Sequence, residues 1–314
     1  MEPVRRAVID VGTNSIKLLV ADVAGCNVRP VHEESRQTRL GRGFYETRRL
    51  QPDTIAHTAE AVWEFANTAR EKSSDSIRVI ATSAARDAAN PGDLTSAIER
   101  AADLKVEIIS GEQEAVWAFQ GVTAGTELAK APLLLLDVGG GSTEFIVGQG
   151  EHKYFARSFP LGTVRLMEQF PHRDPPTRGE FTACRDWIKK FLQTEVRPKL
   201  EPALLRGADS KHGAIQLVGT GGTTSILARI ENRLDRFDRD RIEATRLSLA
   251  QVQKLRWRLW NLPLAERKEI PGLPKLRADV ILTGVAIYEA VMKEFHFKQL
   301  RISTRGLRFA AVMD

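Results

Sequence analysis

One local pattern occurs twice in this chain and constrains it more than any other. The apolar run Ala7-Val8-Ile9 ends at Asp10, the polar turn Val11-Gly12-Thr13-Asn14-Ser15 follows, and a second apolar run extends from Ile16 to Val23. The same grammar returns at Leu133–Leu136, Asp137, Val138-Gly139-Gly140-Gly141-Ser142-Thr143 and Glu144-Phe145-Ile146-Val147. A strand, a glycine-containing turn and a second strand predict a hairpin. Two hairpins with matching punctuation predict one domain plan used twice. Between them, helix-spaced apolar residues over Asp53–Lys72, Leu94–Ala102 and Glu112–Gly121 alternate with strand-like runs at Ile77–Ala81 and Val106–Ile109. That alternation is α/β. The second half reads the same way. Helices are expected over Phe181–Phe191, Ser225–Ile230 and Leu249–Trp260, with Ala278–Phe295 as the longest. Strands are expected at Ile215–Val218 and Leu300–Ser303. Gly, Thr and Pro interrupt the pattern between Gly121 and Ala131. The expected domains are 1–124, joined by the C-terminal segment 297–314, and 125–296.

Composition removes several classes. A length of 314 residues suits two domains, and 42% hydrophobic with 27% charged residues is ordinary globular usage. No apolar run approaches the roughly 18 residues of a membrane helix, and the N-terminus lacks the apolar stretch of a secretory signal. Two cysteines, Cys26 and Cys184, form neither a disulfide framework nor a four-ligand zinc site. The expectation is a reduced, cytoplasmic protein with no membrane partner. Net charge is +6, and 32 of the 46 basic residues are Arg. Such a surplus favours an anionic partner, and the planar Arg fork suits phosphate oxygens. An Arg-rich genome explains the composition equally well. Nucleic acid is disfavoured, since there is no long basic run, zinc-finger spacing or RNA-binding aromatic motif.

Three loops are built alike: Gly12-Thr13-Asn14-Ser15, Gly139-Gly140-Gly141-Ser142-Thr143, and Gly219-Thr220-Gly221-Gly222-Thr223-Thr224. Glycine lets the backbone approach an anion, and successive N–H groups with Ser/Thr hydroxyls make an anion-binding concavity. The third loop also opens a helix, whose N-terminus favours phosphate. None is a Walker A or a dinucleotide fingerprint. Singly each is more simply a tight turn; three together, two fed by strands ending in aspartate, point to phosphate. Asp10 and Asp137 facing phosphate imply Mg²⁺, which takes one or two carboxylates with water and phosphate oxygens; either is otherwise a turn cap. Glu112 and Glu114 open a helix, where acids complement the dipole or where one serves as a general base. No covalent nucleophile is visible, so direct attack of water on phosphorus is the economical chemistry. Arg86, after the Ile77–Ala81 strand, is a candidate phosphate ligand or a surface arginine.

Taken in order, these segments resemble the exopolyphosphatase/guanosine-pentaphosphate phosphohydrolase (Ppx/GppA) family. The resemblance rests on Asp10–Ser15, Ala81-Thr82-Ser83 with Arg86, Ile109-Ser110-Gly111-Glu112-Gln113-Glu114-Ala115 and Asp137–Glu144. It continues through Pro160–Leu166, Gly219–Thr223, Arg267–Leu273 with Arg277-Ala278-Asp279, and Ile302–Arg308. It covers nearly the whole chain. It implies a two-domain actin-like (sugar kinase/Hsp70, ribonuclease H-like) α/β fold of the short type, with an interdomain active-site cleft. It further implies Glu114 as catalytic base and Arg86 as a phosphate grip, with Asp137 and Glu144 serving Mg²⁺ and its water network, beside the Asp10 already read as a metal candidate. Phosphates would be cradled by Gly12, Thr13, Asn14, Ser15, Gly139, Gly140, Gly141, Ser142, Thr143, Gly221, Gly222 and Thr223. Two positions depart from the family pattern: Gln113 replaces the first acid before Glu114, and Phe309-Ala310 replaces the Glu-Gly ending.

The expected function is exopolyphosphatase: removal of the terminal phosphate of inorganic polyphosphate by Mg²⁺-assisted water attack. Hydrolysis of guanosine pentaphosphate (pppGpp) is the alternative substrate reading, since both present a terminal phosphoanhydride. From other classes, a nucleotide-binding regulator with residual activity and an actin-like sugar kinase remain open, and a homodimer is the assembly the resemblance allows.

Overall fold

The computed structural model describes residues 2–208 and 213–314. Two compact units divide the chain, Met1–Thr126 with Gly306–Asp314, and Glu127–Arg305. Unit 1 holds a five-stranded sheet built from β1 (Val4–Val11), β2 (Ile16–Ala24), β3 (Asn27–Arg36), β4 (Ser76–Ala81) and β5 (Val106–Ile108), in the order β3-β2-β1-β4-β5. The first three strands run antiparallel, and β4 and β5 add parallel to β1. Unit 2 repeats the plan with β6 (Leu133–Val138), β7 (Thr143–Gln149), β8 (His152–Phe159), β9 (Gln216–Thr220), β10 (Arg246–Ser248) and β11 (Gln299–Ile302), ordered β10-β11-β9-β6-β7-β8. Again three antiparallel strands are followed by parallel additions, β9 on β6 and β11 on β9.

The continuous apolar runs have a physical cause. Side chains alternate across a strand, and each central strand is covered on both faces. Ala7, Ile9 and Val11 of β1 pack into one core with Ile16, Leu18 and Val20, beneath the helices Pro52–Glu71 and Pro91–Ala102. Val8, Leu19 and Ala21 face the opposite core, shared with Trp117 and the C-terminal Leu307 and Phe309–Val312. In β6, Leu134–Leu136 have no exposure at all. Both faces buried is the pattern of a sheet with helices on each side.

Three expectations move. The return to unit 1 falls at Gly306, not 297, because β11 pairs with β9 and β10 and so belongs to the second sheet. Among the described residues the longest helix is Pro52–Glu71, of 20 residues, whereas Ile281–Glu294 has 14; a 3-10 turn, Lys275–Arg277, precedes the latter. The helix expected from Ser225 begins at Gly221 instead, which draws the third glycine loop into its first turn.

Unit 2 also carries a buried ion pair between helices. Glu289, 4% exposed, accepts from Arg256 Nε at 2.7 Å and pairs with Lys293. Burial pushes its carboxyl up, but the hydrogen bonds from Arg256 and Lys293 outweigh that and hold it below the ordinary glutamate range. A lowered folded pKa stabilises above the unfolded value, and this stability drains away as pH falls through the folded one. Glu289→Gln is therefore expected to cost about 3 kcal/mol near neutral pH. Urea melts of both proteins from pH 7 down to 3 should show the gap closing; a gap independent of pH would rule the linkage out.

Candidate active site

In unit 1 the turn joining β1 to β2 is closed by Gly12 N–H donating to Ser15 O at 3.1 Å. Asp10, Thr13, Asn14 and Ser15 are all buried, at 6%, 3%, 6% and 5% exposure. Asp10 Oδ1, Thr13 Oγ1, Asn14 Nδ2 and Ser83 Oγ are buried without a hydrogen-bond partner among the described residues. Leaving such a group unmade costs about 1–3 kcal/mol, so several around one turn mark a place where a polar ligand or ordered water completes the bonding. Ser83 belongs there because Ala81, which ends β4, is level with Val11, and Thr82 N–H donates to Val11 O.

Arg86 and Glu114 are brought together by strand order. β4 and β5 are parallel neighbours, with Ala81 level with Ile108 and Ile109 N–H donating to Ala81 O. The segments that follow them therefore emerge side by side at the carboxyl ends of the strands, where open α/β sheets bind ligands. One segment is the short helix Ser83–Asp87, which carries Arg86 in its last turn. The other is the helix Gly111–Thr123, capped by Ser110 Oγ accepting from Gln113 N–H, with Glu114 in its first turn. Arg86 Nη1 donates to Glu114 Oε2 at 2.9 Å and to Ile109 O at 3.2 Å. Glu114 is 9% exposed, an acid held in place by a cation that is itself anchored to backbone.

Unit 2 reproduces the first turn atom for atom: Gly139 N–H donates to Ser142 O at 2.9 Å. Here, as in unit 1, the carbonyls of the turn are occupied. Gly139 O accepts from Thr163 N–H, Gly140 O from Val164 and Arg165 N–H, and Gly141 O from Arg165 Nε. That packing requires a bare residue at 162, since a Cβ on Gly162 would lie 2.4 Å from Gly140 O and Gly141 C. With its carbonyls turned to the 162–165 segment, the turn offers an anion its N–H side. Glu144, 1% exposed, accepts at Oε1 from Ser142 Oγ at 2.8 Å and Ser158 Oγ at 2.7 Å. Thr143 Oγ1 donates to Leu161 O.

Asp137 is level with Thr220 at the end of β9, and the helix Gly221–Glu231 starts directly after it. Gly221 has φ +85°, and a Cβ there would sit 2.5 Å from Asp137 Oδ1, so only glycine lets the chain pass the carboxylate. Gly221, Gly222 and Thr223 then form the first turn of that helix, whose leading N–H groups have no intrahelical partner. Tyr288 braces this arrangement from below, its hydroxyl within 3.3 Å of Leu136 O and 3.4 Å of Thr220 O. Burial, followed by the charge of Asp137, pushes its phenol well above the usual value, so it stays a donor.

Within unit 1, then, the sequence candidates gather as the Asp10–Ser15 turn and the Arg86–Glu114 pair. Within unit 2 they gather as Asp137, Gly139–Thr143, Glu144, Gly221, Gly222 and Thr223. Sequence reasoning missed three contributors. Segment 37–41 lies on the first turn, with Arg39 N–H donating to Asn14 O and Gly41 N–H to Thr13 O; the Gln37 amide and Thr38 Oγ1 add further buried, unpartnered polar atoms. The 162–165 segment, part of the matched Pro160–Leu166 motif but given no role there, holds the second turn. The Arg277 guanidinium comes within 3.7 Å of where a Cβ on Gly222 would stand; Arg277 was part of a matched motif without a role.

Among the described residues no group of three or more His, Cys, Asp or Glu forms a metal cage. Mg²⁺ does not need one, since one or two carboxylates, water and phosphate oxygens suffice. Asp137 lies directly opposite Glu144 across the β6–β7 pair, two carboxylates on one face of the sheet, which suits a hard divalent ion. The Cys184 thiol, pushed up to about 12 by burial, is no nucleophile.

Comparison with known proteins gives the family and the fold. The family model described as the Ppx/GppA phosphatase family matches residues 19–313. Exopolyphosphatase 2 of Mycobacterium tuberculosis is 35% identical over 300 residues, covering 92% of this chain and 90% of that protein. The crystal structure of the Aquifex aeolicus Ppx/GppA family member superposes with a TM-score of 0.78 at 29% identity, covering 99% of this chain and 97% of that one. An exopolyphosphatase from Cytophaga hutchinsonii gives 0.83 at 26% identity, covering 98% and 96%. The fold is the two-domain actin-like α/β fold of those neighbours.

Proposed function

Because this chain belongs to the Ppx/GppA phosphatase family, and is on that footing a phosphoanhydride hydrolase, we propose that it removes the terminal phosphate of inorganic polyphosphate. The observation that carries the reading is the Arg86–Glu114 pair at 2.9 Å. It sets a carboxylate beside a cation at the carboxyl ends of parallel strands, next to a turn rich in unsatisfied polar groups. In this reading Glu114 takes the proton of the attacking water, and Arg86 neutralises charge developing on the phosphoryl oxygens. The turns Gly12–Ser15 and Gly139–Thr143 and the helix start Gly221–Thr223 hold phosphates. Asp137 with Glu144 would hold Mg²⁺, which supplies charge neutralisation for the phosphate oxygens. Asp10, the third carboxylate expected to serve the metal, stands opposite Lys17 instead. Ser142 and Ser158, bonded to Glu144, fix the orientation of that carboxylate. A cytoplasmic setting is in keeping with two free cysteines, and no helix among the described residues is long and apolar enough to cross a membrane.

The deciding experiment is phosphate release with Mg²⁺ from short-chain polyphosphate and from guanosine pentaphosphate, side by side. Faster turnover of polyphosphate is expected. Preference for the nucleotide would replace the substrate and keep the mechanism. Release from neither, with tight nucleotide binding, would make the chain a regulator.

A further inference from the structure

Arg86 and the Gly12–Ser15 turn are joined by more than the sheet. Segment 37–51 is a strap between them, tied at both ends. At one end Arg39 N–H donates to Asn14 O at 3.0 Å and Gly41 N–H to Thr13 O at 2.7 Å. The fit is close there, since a Cβ on Gly41 would lie 2.3 Å from Thr13 Cγ2. At the other end Ala89 N–H donates to Arg48 O at 2.9 Å. Beside it the Asn90 side chain takes both backbone groups of Leu50. Its Oδ1 accepts from Leu50 N–H at 2.9 Å and its Nδ2 donates to Leu50 O at 3.1 Å. Between the ties, Leu40, Phe44 and Leu50 are sunk in the core of unit 1. The backbone of the strap is strained: Arg39, Gly43 and Arg48 have φ of 52°, 67° and 57°. A residue other than glycine keeps that left-handed conformation only where its surroundings hold it.

We propose that Asn90 is a positioning residue for Arg86: it fastens the strap beside the helix that carries the arginine, so that the Gly12–Ser15 turn and the Arg86–Glu114 pair hold one another in register. The proposal rests on the phosphoanhydride reading for what that pair does. Asn90, 9% exposed, stands at the N-cap of the helix Pro91–Ala102. An asparagine there ordinarily caps its own helix through its side-chain oxygen. This one makes no such cap. Its amide is spent on Leu50 instead, with Nδ2 also reaching Asp93 Oδ2 at 2.9 Å. An amide side chain accepts and donates at once, which a carboxylate cannot do. Arg86 sits in the last turn of Ser83–Asp87, and only Asp87, Ala88 and Ala89 separate it from Asn90. A displacement of the strap therefore reaches the guanidinium through a short tether. Misplacing a reacting group by about 1 Å can cost about 10²-fold in rate.

Two variants of the whole chain test it. Asn90→Asp keeps an acceptor for Leu50 N–H and removes the donor to Leu50 O. Gly43→Ala strains the middle of the strap, where φ is +67° and the nearest atom to a new Cβ is Gln51 Cγ at 3.9 Å. The first readout is amide hydrogen exchange without substrate. Both variants should speed exchange at both ends of the strap, at Ala89 and at Gly41, by about 10-fold. Faster exchange of Ala89 and Leu50 in Asn90→Asp, with Gly41 unchanged, overturns the strap. The second readout is steady-state phosphate release from tripolyphosphate with Mg²⁺. Asn90→Asp should lower kcat by about 10–100-fold with KM within about 2-fold of wild type. In an Arg86→Gln background it should lower kcat no further. An equal loss in that background, or a rise in KM alone, overturns the positioning role. Should Asn90→Asp fail to fold, Gly43→Ala is expected to give the same pattern in both readouts, and its absence overturns the proposal equally. A wild-type chain that releases no phosphate counts against the hydrolase reading, and hydrogen exchange still decides the strap.

Discussion

Glu114→Gln should lower phosphate release by about 10²–10⁴-fold, the contribution of a positioned base, while tripolyphosphate still binds with wild-type affinity. That range corresponds to about 3–5 kcal/mol of barrier. The substitution keeps the shape of the side chain and an oxygen that can accept from Arg86 Nη1, now 2.9 Å from Glu114 Oε2. It removes only the ability to take a proton. Single-turnover phosphate release beside equilibrium binding is the measurement. Turnover near wild type, or a loss explained wholly by weaker binding, would reject Glu114 as the base.

Arg86→Gln should cost about 10³-fold, because one side chain serves two purposes. Its guanidinium is expected to neutralise transition-state charge, an effect worth about 10²–10³ for a single donor and more for an arginine on a phosphoryl group. It also fixes Glu114 through Nη1, which is anchored in turn on Ile109 O. Residues that act as a unit are not additive. The double variant with Glu114→Gln should therefore be little worse than the poorer single variant. Losses that multiply would mean that the two residues work independently and that the observed ion pair is incidental to the reaction.

The contrast between what was and was not legible in the sequence follows the range of the interactions. The two turns were readable because their geometry is local: Gly12 to Ser15 and Gly139 to Ser142 close by a bond within four residues. Glu114 was readable as a first-turn acid after the Ser110 cap. Strands β3 and β8 were not found, because both lie at sheet edges. There β3 carries Arg29, His32, Glu33 and Glu34 and β8 carries His152, Lys153 and Arg157, the charged dress that keeps an edge from pairing with another chain. The placement of β11 was missed because its sheet is set by partners far away in the sequence. The same holds for Gln37, Thr38 and the 162–165 segment, whose roles exist only through the turns they pack on. No periodicity marks them. Lys17 was read as part of an apolar run, and only its register opposite Asp10 shows otherwise.

Tyr288 has a consequence for motion. One hydroxyl sits between Leu136 O and Thr220 O, carbonyls near the ends of β6 and β9. A hydroxyl has a single proton to give, so it must divide or alternate that proton between the two. The loops leaving those strands, one beginning at Gly139 and the other at Gly221, are thereby coupled through a common donor. A displacement that lengthens one bond strengthens the other's claim on the proton, and the two loops are expected to fluctuate together rather than as separate fingers.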